Sequence, residues 1–347
     1  MSVNFSLSPS NEHFGKFTPQ GRFLDVLLKR LGSVPNVWYC DTMNMPHIHN
    51  LKKYYTGTLI LYCWWDPVRD LLAKHLDDMD LNFIIITPDV EYAGVHAKQT
   101  VIGWKKQYGL HLDLISPCRP AKFTQGDRFL CMMRNHKSER IQFLQNLWQK
   151  NLLHNHISYL GQANTDDNGR TNRDIESILK PQRFIDSEFT HSLDVDFIKW
   201  CKQNLPLQLS NDNTQQATRN TDFYNVGNID WYDNTDYSIV LETYWAKTQF
   251  LTEKSFKPII AQHPFINLGN RTTQLLSSLG FDVFEDVVDT SYDVMSTLDK
   301  IQAAPTSKFD IDPKRLALNL MNLCQLRHEA ILEQNHLVDR LEDSLTN

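Results

Sequence analysis

The stretch from Thr58 to Asp89, TLILYCWWDPVRDLLAKHLDDMDLNFIIITPD, decides the fold class. Thr58–Trp65 is an apolar run of strand length, rich in β-formers, and Asp66-Pro67 stops it. Val68–Leu76 carries leucines at helical spacing. Phe83–Thr87, FIIIT, is a second buried-strand pattern and ends at Pro88-Asp89. Strand, helix and strand in so short a span predict a parallel sheet covered by helices, since parallel strands need a crossover connection. Upstream, Phe23–Leu31 has helical spacing and stops before Gly32, and Val37–Cys40 is a short strand candidate.

The same alternation runs on downstream. Ser116–Gly126, SPCRPAKFTQG, has two prolines, a glycine and no apolar run, and is expected to separate two domains. Phe129–Met133 is then a strand and Ser138–Lys150 an amphipathic helix with Ile141, Leu144 and Trp148 on one face. Residues 161–236 are dense in Asn, Asp, Thr and Gln. They are expected to form an insertion of loops with a few short elements, a helix near Asp194–Lys202 among them. Strands are expected at Ser238–Glu242, Pro264–Leu268 and Phe281–Phe284, and helices at Thr252–Gln262, Thr272–Leu279 and Val294–Ala303. Pro313–Leu341 is a long helical stretch. The expected division is an N-terminal domain over 1–122, a second domain over 123–312 containing the 161–236 insertion, and a terminal helical segment over 313–347 that packs back across both.

Composition narrows the class. With 347 residues, 41% hydrophobic and 22% charged, the chain is globular and long enough for two domains. Its 35 basic and 41 acidic residues leave a net charge of -6, so no global charge excess favours nucleic acid. The six cysteines form no Cys-x-x-Cys pair and sit mostly in apolar runs, as reduced buried thiols do. Met1–Pro9 lacks the basic start and apolar core of a signal peptide, and no apolar run reaches membrane-spanning length. A soluble cytoplasmic protein with no membrane span is expected.

Two clusters carry chemistry. The first is Arg134-Asn135-His136-Lys137-Ser138-Glu139-Arg140, between a buried strand and a helix. Three basic side chains at a helix start oppose the helix dipole, and a bound phosphate or pyrophosphate would relieve that conflict. The alternative is a solvated loop. The second is Tyr237–Lys257, YSIVLETYWAKTQFLTEKSFK, in which Glu242 ends an apolar strand and Thr252 is placed to cap a helix that opens Glu253-Lys254. Lys254 suits that helix start only if it faces an anion; the alternative is a capped surface helix. No Gly-x-Gly-x-x-Gly or Walker-type loop occurs. His47-x-His49 and His154-x-His156 lack further ligands at zinc spacing, so no metal is expected.

Together, Ser238-Ile-Val-Leu-Glu242-Thr-Tyr, Phe250-Leu-Thr252-Glu253-Lys254-Ser-Phe-Lys-Pro and His263-Pro264-Phe265-Ile266 resemble the donor-binding signature of the α1,3-fucosyltransferase type. In that signature a strand ending Phe-Glu-Asn precedes a Tyr-x-Thr-Glu-Lys helix start and a Pro-Val strand. The stretch Leu279-Gly280-Phe281 to Asp289-Thr-Ser291-Tyr292-Asp293 is similar to fucosyltransferase- or exostosin-like proteins of phages and large viruses. The resemblance spans about Phe129–Lys150 and Tyr237–Asp293. It implies a GT-B-like α/β fold, two Rossmann-like domains facing a cleft, and a metal-independent glycosyltransferase using a nucleoside-diphosphate sugar, GDP- or UDP-linked. It assigns Lys254 to the donor pyrophosphate, Glu253 to the ribose and Arg140 to a phosphate, with Arg134, Asn135, Glu242, Thr243 and Thr252 around them. Thr243 departs from the family, which has Asn there. An inverting enzyme needs a carboxylate base near the acceptor hydroxyl, and Asp66, then Asp89 and Glu91, are the expected choices. The acceptor is expected to be a carbohydrate. Two other readings stand beside this one: a phage-type enzyme glycosylating a modified base in DNA, with a positive strip of Lys52, Lys53, Lys105, Lys106 and Arg119, and a non-catalytic carbohydrate-binding or structural protein.

Overall fold

The computed structural model describes residues 26–27, 29–31, 37–41, 58–62, 82–88, 99–113, 115, 118–122, 126–164, 170–184, 189–209, 225–243, 245, 249–303 and 309–346. The chain is mixed α/β, with two sheets among the described residues, and divides into two compact units: residues 1–114 with 324–347, and residues 115–323. The expected helix at Val68–Leu76 lies outside the described residues.

Among its described residues the first unit holds four strands, β1 (Val37–Asp41), β2 (Thr58–Tyr62), β3 (Asn82–Thr87) and β4 (Gln99–Gly103), all parallel and adjacent in chain order. β3 is internal, and Phe83–Thr87 are buried on both faces. That is why FIIIT is a continuous apolar run instead of an alternating one. β4, QTVIG, was not expected from the sequence; only Val101 and Ile102 are aliphatic in it. A 3-10 segment, Lys105–Asp113, follows it.

Among its described residues the second unit holds five strands in the order β7-β6-β5-β8-β9. These are β5 (Phe129–Asn135), β6 (His156–Asn164), β7 (Arg170–Asn172), β8 (Tyr237–Leu241) and β9 (Phe265–Leu268). All neighbours run parallel except the edge pair β6–β7. Helix α1 (Ser138–Gln149) carries the chain from β5 to β6, burying Ile141, Phe143, Leu144 and Leu147. The segment expected to be mostly loop supplies the end of β6, β7, and helices α2 (Ile175–Leu179), α3 (Val195–Asn204) and α4 (Ile229–Asp233). Asp174, Asp194 and Asn228 cap these helices with their side chains, so the Asn/Asp density there is partly N-cap chemistry. Helices α5 (Glu253–Ile260), α6 (Thr272–Ser278) and α7 (Thr297–Ala303) complete the unit.

One expected strand is corrected. Phe281–Phe284 is not a strand but an irregular segment with Phe284 at φ 61. Its apolar residues do go inside, which accounts for the alternating pattern. Its backbone is taken by other partners: the Asp282 N–H donates to Asn319 Oδ1 (2.7 Å), and Asn319 Nδ2 donates to the Asp282 carbonyl (2.8 Å). Arg315 holds the Asp282 carboxylate at 2.5 Å.

Arg315 and Asn319 lie on α8 (Pro313–Thr346), a single long helix that belongs to the second unit as far as Leu323 and to the first from Cys324. In the first unit, Leu326, Ala330, Leu337, Val338 and Leu341 are its buried face. Lys106 pairs with Glu329 (3.2 Å) and Glu333 (2.6 Å), Arg30 pairs with Asp339 and Glu342, and Arg327 pairs with Asp113.

Gly109 lets the 3-10 segment touch α8. A Cβ there would lie 2.4 Å from the Arg327 nitrogen and 2.5 Å from the Leu326 carbonyl carbon, both backbone atoms. Gly109→Ala is therefore expected to destabilise by about 3 kcal/mol through overpacking. Gly280→Ala, at φ 88 with open space around it, should cost about 1 kcal/mol. Urea midpoints compare the two, and equal midpoints would refute the close approach.

Candidate functional site

In the second sheet the chain leaves β5 toward β6 on one side and later returns to β8 on the other. The carboxyl ends of β5 and β8 thus form a topological switch point, the usual ligand position in such sheets. The β5–β8 ladder pairs only Phe129–Cys131 with Tyr237–Ile239, leaving Met132–Asn135 and Val240–Leu241 outside it. Arg140, in the first turn of α1, spans that opening. Its Nη1 donates to the Asn135 carbonyl (3.0 Å) and its Nη2 to the Leu241 carbonyl (3.4 Å). It is 4% exposed, and its Nε–H has no acceptor among the described residues. A buried guanidinium with an unused donor is an energetic liability unless something is meant to bind there.

On the β8 side, Glu242 is fully buried. Its Oε1 accepts from the Thr252 N–H (3.0 Å) and the Ser255 hydroxyl (2.5 Å), and its Oε2 from the Thr252 hydroxyl (2.8 Å). Asn267 Nδ2, from β9, donates to Ser255 Oγ at 2.5 Å. The carboxylate is thus committed to holding the first turn of α5 against the sheet. Thr252 is the N-cap of α5, as its type predicts, and accepts from the Lys254 N–H at 3.3 Å. Gly269 permits this packing, since a Cβ on it would sit 2.3 Å from Thr272 Cγ2 and 3.2 Å from Glu242 Cβ.

Lys300, on α7, holds the next layer. Its Nζ is fully buried and donates to the carbonyls of Trp245 and Gly269 (2.5 Å each) and of Asp293 (3.2 Å). Asp293 in turn accepts from the Thr273 and Gln274 N–H groups (3.1 Å each), capping α6. The loops that follow β8 and β9 are therefore tied together beneath the switch point.

Two lysines complete the cluster. Lys254 is partly exposed. Its Nζ lies 3.0 Å from Thr252 Oγ1 and 3.1 Å from Glu253 Oε1, so the adjacent Glu-Lys pair does interact. Lys137 is the N-cap of α1, with extended backbone (φ −148, ψ 149) and no side-chain cap. Burial, and then the charges of Arg140 and Lys254, push its ammonium down to about 7. Lys137 was not singled out from the sequence. The signal was its position: an N-cap favours an acceptor, and a lysine there offers none.

The structure thus brings Asn135, Arg140, Glu242, Thr252, Glu253 and Lys254 to one corner. Thr243 follows Glu242 directly and is half-buried, as is Arg134 near the end of β5. Asp66, Asp89 and Glu91, and Lys52 and Lys53, lie outside the described residues. Of the remaining cations in the positive strip, Lys106 is engaged with Glu329 and Glu333, and Arg119 is held by Asp233. Among the described residues no group of three His, Cys, Asp or Glu side chains is placed to hold a metal, and no helix is long and apolar enough to cross a membrane. No family model, curated protein or solved structure matches the chain.

Two buried histidines lie at opposite ends of this sheet, His136 just after β5 and His263 beside the start of β8. His136 Nδ1 pairs with the Tyr159 hydroxyl at 2.6 Å. His263 donates from Nε2 to the Thr235 carbonyl (3.1 Å), and its Nδ1 accepts from the Ser238 hydroxyl (2.9 Å). Burial pushes each down to about 4 from 6.5. Below pH 6.5 the unfolded chain takes up protons that the folded one refuses, so stability falls as pH drops from 6.5 toward 4. The loss at pH 5 should be about 2 kcal/mol for each histidine. Urea midpoints at pH 7 and pH 5 measure it, and replacing both with glutamine should flatten the dependence. A pH-independent midpoint in the wild type would refute the buried neutral state.

Proposed function

We propose that this chain is a metal-independent glycosyltransferase of the GT-B type, transferring a sugar from a nucleoside-diphosphate donor held by the second unit. The observation that carries the reading is the meeting of Arg140, Lys254, Lys137 and the starts of α1 and α5 at the parted ends of β5 and β8. The order of residues around Thr252-Glu253-Lys254 supports it independently, through the family resemblance.

In glycosyl transfer the bond from the anomeric carbon to the diphosphate oxygen breaks, and negative charge accumulates on the departing diphosphate. Fixed donors and cations aimed at that charge lower the barrier, because they need no reorganisation as it forms. Arg140 is immobilised by the two strand-end carbonyls. Lys254 is held near Thr252 and Glu253 until an anion draws it off, and helix starts contribute N–H groups and the positive dipole end. Glu253 is placed next to Lys254 and fits the ribose role. Glu242 acts through α5, as a positioning residue. The acceptor and its base are assigned to the first unit, with Asp66, Asp89 and Glu91 as the base candidates and a carbohydrate hydroxyl as the acceptor.

Thermal shift and calorimetry with GDP, UDP, CDP, ADP and dTDP test the donor half. One nucleotide should bind, and Lys254→Ala should weaken it by about 10- to 100-fold, the worth of one charged hydrogen bond. Unchanged affinity in that variant, or no binding by any nucleotide, would overturn the proposal. For the acceptor half, one of Asp66→Asn, Asp89→Asn and Glu91→Gln should abolish transfer while leaving nucleotide affinity intact. Retained transfer in all three would remove these residues as bases.

A further inference from the structure

We propose that His136 and His191 form an uncharged hydrogen-bonding subsite beside Arg140, and that it takes hydroxyl groups of the donor sugar. The inference rests on the donor reading above and adds where the sugar lies and what holds it.

The subsite is built on the β6 side of β5. His136 directly follows Asn135, whose carbonyl accepts from Arg140 at 3.0 Å. Its Nδ1 meets the Tyr159 hydroxyl at 2.6 Å. Tyr159 stands where the β5–β6 ladder is irregular: from the Met133–Tyr159 pair to the Asn135–Gln162 pair, β5 advances two residues and β6 three. Gly161, at φ 60, lies in that extra length. Such bulges re-aim side chains beside functional sites. His191 comes to the same corner from the chain that follows α2. Its N–H donates to the Gln182 carbonyl (3.1 Å). Glutamines of α1 hold the residues after it: Gln142 Oε1 accepts from the Ser192 N–H (3.0 Å), and Gln145 Oε1 from the Asp194 N–H (2.6 Å). Gln142 is two residues beyond Arg140, and His191 is near enough for its charge to act on His136.

Both rings are buried, with His136 7% exposed and His191 2%. His136 Nε2 and both ring nitrogens of His191 have no hydrogen-bond partner among the described residues. The Gln182 side chain acts on His136, and the Leu179 and Lys180 backbone on His191, from outside hydrogen-bond geometry. Burial disfavours the charged form of both rings, and at His136 the charges of Arg173 and Arg140 add to it. A neutral imidazole has one donor and one acceptor nitrogen. The Tyr159 hydroxyl has no other partner among the described residues, so it donates to Nδ1 and the His136 proton sits on Nε2. The reverse tautomer would strand the hydroxyl proton as well. The unmet set is therefore one N–H from His136, and one N–H and one acceptor from His191. It carries no charge and both gives and takes hydrogen bonds, as sugar hydroxyls do. A phosphate would find its cations next door, in Arg140 and Lys254. In the donor reading Glu253 takes the ribose and Arg140 the diphosphate, so the group beyond the diphosphate falls on the β6 side.

Calorimetry compares GDP and UDP with GDP-fucose, GDP-mannose, UDP-glucose and UDP-N-acetylglucosamine. For the conjugate that binds wild type most tightly, His191→Leu should weaken binding about tenfold, the worth of one or two neutral hydrogen bonds, while affinity for the bare nucleotide stays within about twofold. His191→Gln keeps a donor and an acceptor and should recover most of the loss. His136→Leu combined with Tyr159→Phe, which removes both members of that pair, should show the same selective loss. The urea midpoint of His191→Leu should equal or exceed that of wild type, since leucine removes two unmet polar atoms from a buried position. Equal loss for conjugate and bare nucleotide would overturn the subsite. So would a lowered midpoint with both affinities unchanged, which would assign the histidine to the core. Binding of no nucleotide at all would remove the glycosyltransferase reading and the subsite with it. Nucleotide binding that Lys254→Ala weakens, with no selective effect at His191, would leave that reading standing and sink the subsite alone.

Discussion

The carboxylate of Glu242 is fully buried at the end of an apolar strand, where an unserved charge would be intolerable. Three donors answer it: the Thr252 N–H, the Thr252 hydroxyl and the Ser255 hydroxyl. All of them belong to the cap and first turn of α5, so satisfying the charge fixes where that helix begins. Lys254 is aimed by the same arrangement, since its N–H and its Nζ both meet Thr252 Oγ1. Asn267 extends the network to β9 through Ser255. A hydrophobic residue at 242 would pack as well, but it would leave α5 free to slide and Thr252 without a partner.

The same logic explains why so many charges are buried at one corner. Glu139, Arg140, Glu242 and Glu253 are all nearly inaccessible, and Lys300 is fully so. Lys300 is structural: its three carbonyl partners use the capacity of an ammonium. Arg140 is different, since two strand-end carbonyls do not use all its donors. Buried ion clusters rarely add net stability compared with apolar packing. The Arg140 Nε–H, without an acceptor among the described residues, is the donor that the proposed anion site would employ.

Much of this was legible in the sequence, for reasons that differ by element. β3, β5, β8 and β9 are mostly buried, so apolar residues predominate in them and announce the strands. β4 and β6 did not: HISYLGQAN mixes polar residues and a glycine at φ 60 into a strand whose outer neighbour is only three residues long. Phe281–Phe284 imitated a strand because alternate burial also arises in an irregular segment, here one whose backbone is held by Asn319. The Thr252 cap and the Glu242 anchor were visible because residue type and position agree. Lys300 carried no signal, since its partners are backbone carbonyls of three separate loops.

Lys137 falls between these cases. The cluster Arg134–Arg140 was conspicuous as an excess of positive charge at a helix start, but which cation holds the N-cap depends on where the helix begins, and the fold sets that at Ser138. The fold makes that distinction. Arg140 is held by two strand-end carbonyls, Lys254 lies beside Thr252 and Glu253, and Lys137 occupies the N-cap of α1, where a helix favours an acceptor. A serine or aspartate there would stabilise α1 by about 1 kcal/mol. Aspartate would also place a negative charge beside Arg140, weakening any attraction for an incoming anion. Helix stability alone selects an acceptor at position 137, and the lysine there departs from that preference.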